Sequence, residues 1–188
     1  MTLGLFPILC KVPFFGDFLL IANAYAWEGN SAFVSRCAPF ANWWRHILWK
    51  VMLCIAFSLF LFWLKAKYVV QDPQSFNSLK DVLNVFPNVL GFAVALYAFI
   101  LVIPRRFWSW MRSNKTMGAT PESVNADLAY PVISICLMLG IAWPMSIFEP
   151  KFPNIFIVTS FIFAYSFLLI AELVVCVFSI AHKSLKDN

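Results

Sequence analysis

The chain has 188 residues, of which 62% are hydrophobic, 18% aromatic and only 12% charged, with a formal net charge of +5 and a mean hydropathy of +0.79. A soluble domain carries about a quarter charged residues, so this composition excludes a soluble enzyme, a disordered chain and a disulfide scaffold, and points to an integral membrane protein. No stretch outside the apolar blocks is long enough to fold alone, which leaves a single membrane domain over 1–188.

The first 45 residues form the least regular part. Met1 to Trp27 is apolar but broken by Pro7, Pro13 and Gly16, and it carries Lys11 and Asp17, a poor pattern for a spanning helix. Ala22-Asn23-Ala24 has the small-residue spacing of a leader cleavage site, yet a basic n-region is lacking and Asp17 falls where an apolar core belongs. The expectation is an interfacial segment, helped by Phe14, Phe15, Phe18 and Tyr25, that tucks against the bundle as a half-length element.

A helix needs roughly 20 mainly apolar residues to cross a hydrocarbon core about 30 Å thick. Four such runs follow, at about 46–64, 82–103, 128–148 and 152–181, with Lys50 near the start of the first and Glu172 inside the fourth. Continuous apolarity excludes the alternation of a barrel strand, so the expected fold is an all-α, four-transmembrane-helix bundle with an N-terminal interfacial segment. Lys11, Arg36, Arg45, Lys50, Arg105, Arg106, Arg112, Lys115, Lys183 and Lys186 fall on one side of this drawing, against Lys65, Lys67, Lys80 and Lys151 on the other. That asymmetry places both termini and the 104–127 loop in the cytoplasm of a multi-pass inner-membrane protein. The eight Trp residues lie at or just outside the span ends, as indoles prefer the headgroup zone.

The second run holds Asn84, Asn88, Gly91, Ala95 and Ala98 at spacings of four, three, four and three, which gathers amide and small side chains on one helical face. Such a face packs closely against another helix, either within the protomer or across a subunit interface or pore. In the third run Pro144 removes the hydrogen bond to Gly140 and predicts a kink. The fourth run is about ten residues longer than the membrane core requires, so it tilts or projects, and a projecting apolar end needs neighbours. Along it Tyr165, Glu172, Cys176, Ser179 and Lys183 share a face, and an acid at this depth marks either a functional site or a buried contact unless it reaches the headgroups.

Catalytic chemistry is sparse. His46 and His182 stand apart from carboxylates and cysteines at metal-ligand spacing, and zincin, phosphate-loop and dinucleotide glycine motifs are missing, so no catalytic residue, metal or cofactor is expected. Cys10, Cys37, Cys54, Cys136 and Cys176 form no C-x-x-C pair and read as apolar fillers. Ser58, Ser134 and Ser166 lack a base nearby in sequence. Charge is better organised: Arg105, Arg106, Arg112 and Lys115 interleave with Phe107, Trp108 and Trp110, the composition of an element lying on anionic lipid or meeting an acidic partner, with nucleic acid disfavoured because the aromatics seek the headgroups. Thr120-Pro121-Glu122 then reads as a capped helix start.

With its length, four runs, basic loop and long last span, the chain resembles the KwaA family, the membrane subunits of two-component bacterial Kiwa anti-phage systems. The resemblance covers the whole chain but rests on architecture and not on a motif, so it carries over no functional residue. It implies a non-enzymatic homo-oligomeric scaffold and sensor that recruits a soluble, DNA-binding cytoplasmic partner of the KwaB type. An oligomeric pore using Glu172 and the Asn84 to Ala98 face is the alternative expectation, and a small membrane enzyme a third.

Overall fold

The computed structural model describes residues 6, 10–30, 36–68, 78–103, 105–113, 120–148 and 155–186, and among these no strand occurs. The elements are α1 (Phe15–Ala26), α2 (Phe40–Trp43), a π turn (Trp44–Leu48), α3 (Trp49–Tyr68), α4 (Ser78–Val102), α5 (Arg105–Ser113), α6 (Pro121–Phe148) and α7 (Ile155–Lys186). Three stretches are long and apolar enough to cross a membrane: Phe40–Lys67, Pro121–Met145 and Ile155–His182. In α4 the apolar stretch among the described side chains is Val82–Ala98, below the length of a full span, so the expected fourth span is not confirmed.

Helices extend beyond the apolar runs because hydropathy marks the lipid-facing part, whereas backbone hydrogen bonding continues into polar turns. Thus α6 starts at Pro121, not near 128: the Ser123 N–H donates to Thr120 Oγ1 at 3.1 Å, and the Ser123 hydroxyl donates to the Thr120 carbonyl at 2.8 Å. Hydroxyls within the helices return to their own backbone. Ser58 donates to the Cys54 carbonyl at 2.8 Å, Thr159 to Ile155 at 3.2 Å and Ser179 to Val175 at 2.8 Å.

At the centre stands α7, which packs against α3, α4 and α6, while α4 and α6 also pack on each other. α3 runs antiparallel to α7, and α4 to α6. Lys50 at the start of α3 meets Glu172 near the end of α7, Lys65 near the end of α3 lies 4.2 Å from the ring centroid of Phe156 at the start of α7, and the Tyr97 hydroxyl of α4 donates to Asn125 of α6 at 3.1 Å. Phe86, Leu128, Ile135, Ile162, Leu169 and Leu173 fill the core, while Leu53, Phe57, Phe60, Trp63, Phe167 and Phe178 face outward. That inverted surface is what a lipid-facing bundle requires. α7 has 32 residues, about 48 Å of helix, and so exceeds the core as expected.

α6 continues unbroken through Pro131 and Pro144, and α4 through Pro87, which the sequence reading passed over. Gly140 is exposed, and a Cβ there would meet nothing within 4 Å, so neither it nor the exposed Pro144 is held against a neighbouring helix.

α1 is the expected half-length element, and it packs on α6. Its end is fastened by Asn23, fully buried, whose amide donates to the Arg36 carbonyl at 2.8 Å and accepts from the Ala38 N–H at 2.8 Å. The Gly29 N–H closes the helix on the Ala24 carbonyl at 2.9 Å, and Gly29 adopts φ 74° with its α-carbon directly over the Ser123 backbone. Glycine is required twice here, by the left-handed turn and by the close approach. Gly29→Ala is expected to lower stability by about 1–3 kcal/mol and to expose α1 to protease; an unchanged melting temperature in detergent would contradict this docking.

Candidate functional site

The charged groups of the bundle converge at one end. His46 lies in the π turn, where the helix widens by a residue, and Lys50 stands in the first turn of α3 that follows it. Lys50 Nζ lies 2.6 Å from Glu172 Oε1 and donates to the Tyr25 hydroxyl at 2.5 Å; that hydroxyl donates in turn to Glu172 Oε2 at 3.2 Å. The three side chains close a ring in which every carboxylate oxygen has a donor. Burial first, and the Glu172 carboxylate second, raise the Tyr25 phenol well above the ordinary tyrosine range, so it serves as a neutral donor and acceptor.

Aromatic packing extends this ring into the core. The Tyr25 ring stacks on Tyr130 at 4.4 Å and 11°, and the Tyr130 and Tyr165 hydroxyls lie 2.7 Å apart. On the outer side His46 Nε2 is 3.1 Å from Glu28 Oε1, with its ring edge toward Tyr25 at 6.1 Å. A cavity of about 530 Å³ adjoins the ring, with Tyr25, Lys50, Asp127, Glu172, Cys176 and Ser179 on its walls.

The expected face of α7 is therefore divided. Tyr165 is buried in the core, Glu172 is paired, and Cys176 and Ser179 border the cavity, while the Lys183 side chain lies outside the described residues. Glu172 is half-buried and meets both Lys50 and Tyr25. Lys50, near the start of the first apolar run, turns inward to meet it. Tyr25, Asp127, Tyr130 and the Glu28–His46 pair escaped sequence reading; the usable signal was that a lone cation in one apolar run and a lone acid in another compensate each other best by pairing.

The amide and small-residue face of α4 has a different fate. Asn84, Asn88, Gly91, Ala95 and Ala98 are all exposed, and a Cβ on Gly91 would meet nothing within 4 Å. Within the protomer α4 buries Val82, Phe86 and Ala93 against its neighbours and turns the amides outward.

The basic loop folds as α5. Met111 is buried and Phe107 and Trp108 pack on the core, while Arg105, Arg106 and Arg112 remain exposed, Arg112 at 3.0 Å from Glu122. Trp110 lies within α5, and Lys115 is outside the described residues. Ser166 donates to the Met138 sulfur at 3.5 Å, and among the described residues no three His, Cys, Asp or Glu side chains form a metal-binding group. No protein-family model, curated protein or solved structure matches the chain.

The arrangement can hold charge and join helices. Lys50→Met leaves the Glu172 carboxylate without its cation and is expected to cost about 2 kcal/mol, discounted from a fully buried pair because the side chains are 19% and 32% exposed. Glu172→Leu added to Lys50→Met should recover part of that loss. Strictly additive losses in a double-mutant cycle, read by unfolding in bicelles, would show that the two charges do not interact.

Proposed function

We propose that this chain is a non-enzymatic membrane scaffold and sensor subunit that self-associates through the outward face of α4 and recruits a soluble cytoplasmic partner. Its carrying observation is that face: two amides, a glycine and two alanines, all exposed, on a helix whose opposite side is fully engaged. Small residues let a second backbone approach, and amides exposed to lipid gain most from hydrogen bonds to another copy. The far end of α7 adds support, since Val175 and Phe178 are 63% and 70% exposed on a helix longer than the membrane core.

In this reading α4 is the fourth span, its 25 residues being long enough to cross and the stretch from Val82 to Val102 free of charge. Lysine and arginine asymmetry then puts both termini and α5 on the cytoplasmic side of a bacterial inner membrane. The resemblance to KwaA assigns the scaffold to anti-phage defence and the partner to the KwaB type. An oligomeric pore remains the second reading, favoured by the same two exposed amides, which would line a path between copies.

Gly91→Leu separates these statements from fold stability, because the added side chain meets open space within the protomer. The variant is expected to keep the melting behaviour of the parent and to lose its oligomeric mass in mild detergent. An unchanged oligomer would remove α4 as the interface. Ion flux through the parent oligomer in liposomes would move the pore reading ahead of the scaffold.

A further inference from the structure

Between α5 and the first turn of α6 lies a groove of about 610 Å³, lined by Arg105, Trp108, Ser109, Arg112, Pro121 and Asn125. The four α5 residues stand at i, i+3, i+4 and i+7, so they form one helical face, with the backbone positions of the two arginines about 10.5 Å apart along the axis. Arg105 forms no hydrogen bond or ion pair among the described residues, while Arg112 is held by the exposed Glu122 at 3.0 Å. Arg106 lies outside the groove, its carbonyl accepting from the Ser109 hydroxyl at 2.9 Å. Packing of Phe107 and Trp108 and burial of Met111 fix α5 across the bundle end, beside the last turn of α4 and the first turn of α6. Trp108 on its wall is the kind of side chain that settles among lipid headgroups.

We infer that this groove binds the phosphodiester headgroup of an anionic phospholipid from the leaflet it faces. Guanidinium forks match phosphate oxygens in pairs, and basic pockets between membrane helices take anionic headgroups on the cytoplasmic side. A lipid fits better than free phosphate because Trp108 and Pro121 give the groove an apolar wall that a glycerol backbone covers and an inorganic ion leaves wet. Glu122 is the built-in competitor, since its carboxylate holds the guanidinium that the phosphate needs. This inference is independent of assembly through α4 and is read by a different measurement.

The test is native mass spectrometry of the full-length protein, delipidated in mild detergent and titrated with phosphatidylglycerol, phosphatidylcholine or inorganic phosphate. Each groove arginine is worth about fivefold near an anionic surface, so Arg105→Gln with Arg112→Gln should weaken phosphatidylglycerol binding about 25-fold and erase its preference over phosphatidylcholine. Arg106→Gln should leave it within about twofold, and Glu122→Gln should strengthen it by releasing Arg112. Equal loss from Arg106→Gln would show diffuse surface charge and overturn the site, as would retained preference in the double variant. Displacement of the lipid by equimolar inorganic phosphate would assign the groove to the free ion. Binding of an acidic peptide in phosphatidylcholine nanodiscs that is lost in the double variant, with no phosphatidylglycerol preference in the parent, would assign it to a protein partner.

Discussion

A carboxylate within an apolar helix is costly unless a cation and hydrogen-bond donors reach it, and Glu172 is reached by both, through Lys50 and Tyr25. The three residues come from α3, α7 and α1, so compensating one charge joins three separate elements. α3 packs chiefly on α7, and most of its remaining surface is apolar and outward, which leaves this contact as its principal polar tie to the bundle. α1 gains its position the same way. Its Tyr25 needs the ammonium and the carboxylate, its ring needs Tyr130, and Asn23 and Gly29 lock the chain that leads back into α2.

With charge satisfied inside, the remaining polarity faces out, and its placement separates two surfaces. The α4 amides and small residues lie exposed on the outside of the bundle, without a neighbouring helix of the protomer against them among the described residues. The α5 arginines lie at the bundle end. Under the proposed scaffold reading the two surfaces would divide the work, one for copies of the chain and the other for the membrane boundary. Met111 connects the two regions physically, since it anchors α5 and borders the cavity beside Glu172.

Composition and run length made the helical membrane class legible, and the Thr120-Pro121 start was readable because capping is local chemistry. The interfacial character of residues 15–26 was likewise visible from its broken apolarity. Periodicity collected Asn84 to Ala98 on one face but gave no direction to it, since in a membrane both a packed and an exposed face are apolar enough to escape hydropathy. The pairing of Lys50 with Glu172 was hidden for a related reason: the two residues stand 122 positions apart, and nothing in either apolar run says which helices are neighbours. Asp127 and Tyr130 stayed hidden because their partners come from α1 and α7, far along the chain, and helix order around a bundle is not written in any single segment.

Outward display of the α4 face for self-association is the central claim, and cysteine cross-linking in native membranes tests it most directly. With the five native cysteines replaced by alanine, a cysteine at Ala95 should form a covalent dimer on mild oxidation, whereas one at outward-facing Phe57 of α3 should not. A dimer through position 57 with none through 95 would contradict the account and place the interface on α3.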